Sequence, residues 1–296
     1  MRLIKSINWQ KLTFKLIKHK YLLLFFSLLF WVYWTNTFHT NFSDEFDNIV
    51  GGWYITKGIL PYRGFFSHHN PGAYFISSLI VLFTRQSFVH FRIVWAIALF
   101  TTSVMSYVYL TKIFSKDKLK FFLLYLLILG VSSTYYWGQM MLSETIVAYV
   151  LIPSYALVVL KAINGKAVNL RDVAFISVMS AIALYTSLTF IFAIILLWIF
   201  SLYLFVKNKK IFSRPALKAL TIIVLPYVLL ALYLISTGSL SEYIFQSIRY
   251  NRDYYVYNFP VVAGQVSKHP ARYAISIFYN TSDQFKALLL QGKDFN

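Results

Sequence analysis

The chain alternates long apolar runs with short basic segments. Apolar stretches cover residues 21–38, 71–84, 88–111, 119–137, 143–160, 172–206 and 216–236. Five of them have the length of a helix that crosses a hydrocarbon core of about 30 Å. Residues 71–84 are short for a span and leave the crossing ambiguous. Residues 172–206, as one helix, would reach about 52 Å, far beyond that core. Their polar stretch Tyr185-Thr186-Ser187-Leu188-Thr189 is where this run is expected to break into two helices.

The distribution of charge selects the threading. If 71–84 lies at the interface and 172–206 crosses twice, segments 1–20, 112–120, 161–171 and 207–218 share one side. They hold six, four, three and five of the 28 Lys and Arg, with Asp117 as their one acid and Asp172 just past the third. If 71–84 crosses instead, the basic residues divide evenly between the two sides. The positive-inside rule selects the first arrangement. The expectation is an all-α polytopic membrane protein with about seven transmembrane helices: 21–38, 88–111, 119–137, 143–160, 172–186, 189–206 and 216–236. The cytoplasmic N-terminus is basic (Arg2, Lys5, Lys11, Lys15, Lys18, Lys20), and no small-residue cleavage site follows it. Trp31, Tyr33 and Trp34 look like an interfacial belt, so the first span reads as an uncleaved anchor of the cell membrane. The outer face then receives the long first loop 39–87, the turn 138–143 and the tail 237–296.

Composition agrees with this picture: 58% of residues are hydrophobic and 20% aromatic, above a soluble average of about 45–50% apolar. The net charge of +18 sits in short segments between spans, which argues against nucleic acid as a partner. With no cysteine, disulfides and thiolate chemistry are excluded.

Carboxylates are scarce, ten in all, and two stand together as Asp44-Glu45 just past the first span. Next to them, Phe46, Ile49, Val50, Trp53 and Tyr54 follow helical spacing, with Asp47, Asn48 and Gly51 on the opposite face. This predicts a juxtamembrane amphipathic helix. Ser43 or Asp44 is available as its N-cap, and Gly58 and Pro61 end it. Pro71 opens the short helix 71–84. Of two adjacent acids, one can cap the helix while the other faces the membrane cavity. A carboxylate against apolar surface is a candidate general base, because burial raises its pKa toward working pH. Glu144, at the mouth of the fourth span, is either a favourable charge at a helix start or a functional acid.

Basic and aromatic residues interleave in Pro61-Tyr62-Arg63-Gly64-Phe65-Phe66-Ser67-His68-His69-Asn70-Pro71, in Arg249-Tyr250-Asn251-Arg252-Asp253-Tyr254-Tyr255 and in Lys268-His269-Pro270-Ala271-Arg272-Tyr273. On an outer face these suit a phosphate or a headgroup. Their bland alternative is an interfacial or solvated loop. The two adjacent histidines have no diagnostic metal-ligand spacing.

The acidic pair after the first span, followed by Gly58-Ile59-Leu60-Pro61-Tyr62-Arg63-Gly64-Phe65-Phe66 and His68-His69-Asn70-Pro71, resembles the first outer loop of bacterial GT-C glycosyltransferases. The likeness is to the protein O-mannosyltransferase and aminoarabinose transferase branch (family 39-like), and it covers most of the chain. It implies transfer of a sugar from a polyprenyl-phosphate donor to a lipid, glycan or protein acceptor at the outer face. By resemblance, Asp44 matches the catalytic acid, with Glu45 beside it, and Glu144 matches the second outer-loop acid. His69 and Ser187 fall where many relatives carry Lys, and His269-Pro270 resembles a later His-Pro. Donor-phosphate binding then falls to Arg63, His69, Arg249, Arg252, His269 and Arg272. No cofactor is implied, although some members use a divalent cation. Relatives are usually longer, so the chain is expected to be a truncated or minimal module. The rival expectations are a transporter or flippase of lipid-linked sugars, and a non-catalytic or truncated membrane subunit.

Overall fold

The computed structural model describes residues 20–38, 43–84, 87–115, 119–133, 138–207 and 214–255. The basic residues of 1–19, Arg85, Asp117, the end of the expected third span (134–137), His269 and Arg272 lie outside the described residues. Every regular element is helical: α1 (Lys20–Asn36), α2 (Ser43–Thr56), α3 (Gly72–Thr84), α4 (Phe88–Thr111), α5 (Lys120–Ser132), α6 (Ser143–Ile163), α7 (Leu170–Thr186), α8 (Ile191–Val206), α9 (Arg214–Ser236) and α10 (Leu240–Tyr243). α10 continues as π-helix over Ile244–Arg249 and Asn251–Tyr255. Among the described residues, four stretches are long and apolar enough to cross a membrane: Phe88–Thr111, Ser143–Ile163, Leu188–Val206 and Leu217–Ser236. The chain is therefore a helical protein with the marks of a membrane protein.

The expected break in the long sixth run has a simple local form. α7 ends at Thr186, Ser187 is extended at φ −153° and ψ 128°, and a 3₁₀ turn at Leu188–Phe190 leads into α8. α3 and α5 have 13 residues each, about 20 Å, shorter than a ~30 Å core; the apolar run that carries α5 extends to residues 134–137, which lie outside the described residues. α7 starts two residues before the expected span. Asn169 caps it by accepting from the Asp172 amide, while Asp172 accepts from the Asn169 amide in return.

Polar contacts and small residues join the helices, as expected where apolar side chains gain nothing by leaving lipid. Tyr33 of α1 meets Ser103 of α4 at 3.2 Å and accepts from Tyr149 of α6 at 2.5 Å. Asn36 donates to the Gly130 carbonyl and to Ser133 beside α5. Ser177 of α7 donates to the Ile222 carbonyl of α9. At the α6–α7 connection, Lys161 is ion-paired with Asp172 at 2.5 Å, both buried. α2 and α3 pack closely because Gly51 and Gly52 carry no Cβ. A Cβ on Gly51 would strike the Tyr74 ring, and one on Gly52 would come within 2.5 Å of Ser77.

Candidate functional site

The end of α2 shows how the local sequence makes the first outer loop. Lys57 and Gly58 leave the helix, Gly58 in the left-handed region at φ 79°. The Ile59 amide then bonds back to the Tyr54 carbonyl, closing the helix end through the glycine. The following turn is strained: Tyr62 has φ 71°, unusual for a bulky residue. Three contacts hold it there. Its amide donates to the Phe65 carbonyl, its hydroxyl donates to the His69 carbonyl at 2.9 Å, and its carbonyl accepts from Gln246 Nε2 at 2.9 Å.

At the other end of α2 the adjacent acids part company. The helix begins at Ser43, so Asp44 stands in the first turn, exposed, with one oxygen 3.3 Å from Ser43 Oγ. Glu45 is 0% exposed and Arg92 of α4 is 5% exposed. Arg92 Nε bonds both Glu45 oxygens at 3.2 and 3.1 Å, and its Nη2 reaches Glu45 Oε2 at 2.5 Å. Glu45 Oε1 also accepts from the Met141 amide at 3.2 Å, and Asn48 Nδ2 donates to the Met141 carbonyl at 2.8 Å. Arg92 Nη1 further donates to the Thr37 carbonyl. α2 is thus fastened to α4, to the end of α1 and to the turn that leads into α6. Glu144, exposed, stands in the first turn of α6, three residues past Met141.

Asp44, Asp47 and Gly51 lie at i, i+3 and i+7, one face of α2. Tyr74 of α3 lies along that face. Its hydroxyl donates to Asp47 Oδ2 at 2.8 Å and pairs with Ser67 Oγ at 2.8 Å. Burial first, then the Asp47 carboxylate, with Asp44 contributing, push the Tyr74 hydroxyl far up, so it stays protonated. His68 and His69 follow Ser67, their ring centres 3.9 Å apart. Burial, and then the neighbouring His69, lower His68 to about 4, partly opposed by Asp47. The His69 carbonyl also accepts from Ser67 Oγ and Ser247 Oγ.

The basic residues expected to bind phosphate are distributed differently. Arg63 Nη1 donates to the Thr237 carbonyl at 3.0 Å, tying the loop to the end of α9. Arg249 lines an open groove of about 480 Å³ with Ser241, Glu242, Ile244 and Phe245. Arg252 pairs with its neighbour Asp253 at 2.6 Å on the surface. That pairing first, with Arg249 adding to it, lowers the Asp253 carboxyl. Among the described residues, no group of three or more His, Asp or Glu is arranged to hold a metal ion.

Comparison with protein-family models, with curated proteins and with solved structures found no match. The site is described by its own geometry.

The sequence alone gives no site role to four participants: Arg92, Tyr74, Gln246 and Asp47, the last placed only on the polar face of its helix. Arg92 carried a signal, being the only Lys or Arg in the apolar run 88–111, where a charge needs a partner. Asp47 sits three residues from Asp44, the spacing of one helical face. Tyr74 and Gln246 carried none, because their contacts span distant parts of the chain.

Proposed function

We propose that the chain is an integral membrane glycosyltransferase of GT-C type, moving a sugar from a polyprenyl-phosphate donor to an acceptor at the outer face. The observation that carries this is the separation of roles within Asp44-Glu45. Glu45 is consumed by Arg92 and the Met141 amide, while Asp44 is left exposed on a helix that those contacts immobilise. A general base needs this combination of a free carboxylate and a fixed backbone.

In the proposed step Asp44 takes the proton from an acceptor hydroxyl. The acceptor oxygen bonds to the anomeric carbon as the bond from that carbon to the lipid phosphate oxygen breaks. The sugar passes through an oxocarbenium-like transition state, as in glycoside chemistry. The phosphate leaves on the lipid, its charge met by His69 and Arg249; Arg63 already donates to Thr237 and Arg252 is paired with Asp253. Glu144 stands as the second acid, at the start of a helix joined to α2 through Met141.

The proposal includes seven spans, with α1, α5 and α7 crossing beside the four long apolar helices. α2 and α3 lie at the outer interface of the cell membrane, with the N-terminus cytoplasmic. For α2 this is supported by its exposed residues, which combine apolar Phe46 and Val50 with acidic Asp44 and Asp47, as at a boundary between lipid and water. A transporter would place ionisable groups in mid-span. The two buried ion pairs lie instead at helix ends, Arg92 in the second turn of α4 and Lys161 and Asp172 at the α6–α7 connection. The test is Asp44→Asn in membranes supplied with labelled polyprenyl-phosphate sugars: normal expression with transfer lost supports the reading, and undiminished transfer overturns it.

A further inference from the structure

The segment 240–255 is amphipathic in the inverted sense. Its polar face points into the protein. Gln246 and Ser247 are buried. Gln246 Oε1 accepts from the Ser67 amide at 2.9 Å, and its Nε2 donates to the Tyr62 carbonyl. Ser247 donates to the His69 carbonyl, and Asn251 donates to the His68 carbonyl at 2.6 Å. Tyr243 meets Tyr62 edge-on, and Tyr250 meets Phe66 in the same way.

The outward side carries four aliphatic or aromatic side chains among exposed Ser241, Glu242, Arg249, Arg252 and Asp253. Leu240, Ile244, Phe245 and Ile248 are exposed, Phe245 by 46% and Ile248 by 42%. The wider π turn, with bonds from i to i+5, keeps Gln246 and Asn251 on one face, where α-helical winding would rotate Asn251 away. The helix cannot roll to hide Phe245 without breaking the four side-chain contacts that hold the loop backbone.

We propose that this segment lies in the bilayer interface, its apolar side chains among the phospholipid acyl chains and Arg249 at the level of the phosphates. Three observations select lipid as the occupant. The exposed face follows directly from α9, whose Leu225, Leu229, Leu232 and Ile235 are exposed along a candidate span. Only Thr237, Gly238 and Ser239 separate the two elements, with Gly238 at φ 65° making the bend. The exposed Arg249 adjoins the apolar side chains and matches an anionic headgroup, while Arg252 is paired with Asp253. A helix of this kind sinks roughly 5–10 Å into the headgroup–acyl boundary. The segment then forms a second interfacial element beside α2, and it holds the 62–70 loop against the membrane surface. No enzymatic assignment enters this inference.

Because the protein has no cysteine, single-cysteine labelling needs no background mutations. Phe245→Cys and Ile248→Cys variants, carrying an environment-sensitive fluorophore, are reconstituted in vesicles of phosphatidylcholine and phosphatidylglycerol. Some vesicles contain lipids bearing a nitroxide near the headgroup, others near the chain end. Leu225→Cys in α9 and Lys57→Cys in the loop serve as membrane and water controls. The expected result is a loss of fluorescence at 245 and 248 with the shallow nitroxide, greater than at Lys57→Cys, and quenching of Leu225→Cys by the deep one. Labels at 245 and 248 quenched by aqueous iodide as strongly as Lys57→Cys would overturn the proposal, and so would labels shielded from both lipid and iodide, as a covering protein would make them. In either case a lipid-quenched Leu225→Cys leaves the membrane reading standing, so the two failures are told apart.

Discussion

Removing one partner of the Glu45–Arg92 pair leaves a charge buried without its counter-ion, which costs about 3–5 kcal/mol. Arg92→Ala is therefore expected to lower the thermal midpoint of the detergent-solubilised protein sharply. Replacing both residues by apolar ones, Glu45→Leu with Arg92→Met, should restore part of the loss. The recovery stops short because the Met141 amide and the Thr37 carbonyl lose their partners as well. Glycines separate in the same way. Gly52→Ala is destabilising by roughly 1–3 kcal/mol, since the new Cβ meets Ser77 and the Ser78 backbone in α3. Gly58→Ala meets nothing, and its cost of about 1–2 kcal/mol comes only from the left-handed backbone. His68 predicts a pH effect with a definite sign. Its folded pKa, about 4, lies below the ordinary histidine value of 6.5. Between these values the unfolded chain binds a proton that the folded chain does not, so stability falls as pH drops from 6.5 towards 4. A thermal midpoint series over that range should show a smaller drop in His68→Asn than in the wild type.

At the scale of elements, the apolar pattern foretold most helices because period and length are local properties. It foretold the Thr186-Ser187 break because two consecutive hydroxyl residues interrupt an over-long run. It also foretold α2, α3 and the glycine that ends α2. The role of Glu45 was beyond it: the acidic pair looked like one feature, and only Arg92, 47 residues away, divides it into a structural and a free carboxylate. In sequence, the Arg, Asn and Tyr of the tail suit a headgroup or, alternatively, a solvated loop, and neither reading specifies a helix. In the structure 240–255 is a helix whose Gln246, Ser247 and Asn251 turn inward to the backbone carbonyls of Tyr62, His69 and His68. A strained Tyr62 is needed to present its carbonyl there. Gln246→Leu should therefore loosen the 62–70 loop, read as faster proteolysis or amide exchange in that loop, with little change in α4–α6.

For the molecule as a whole, the proposed topology puts Lys57 outside and Lys166 inside. Lys57→Cys in intact cells should react with a membrane-impermeant maleimide, and Lys166→Cys only after permeabilisation. Two arms of the bundle then meet at the outer face. α2 is clasped to α4 and to the entry of α6 through Glu45, Arg92 and Met141, and 240–255 is bonded to the loop between α2 and α3. Between them stand Asp44 and Asp47, with Tyr74 bridging to Ser67. Transfer is assayed with labelled polyprenyl-phosphate sugars in membranes containing either the wild type or Asp44→Asn at matched expression. Loss of a general base predicts a fall of about 10²–10⁴-fold in label moved to acceptor, with the Glu45–Arg92 clasp intact and the thermal midpoint unchanged. Transfer by Asp44→Asn at the wild-type rate would contradict the assignment of this face as a glycosyl-transfer site.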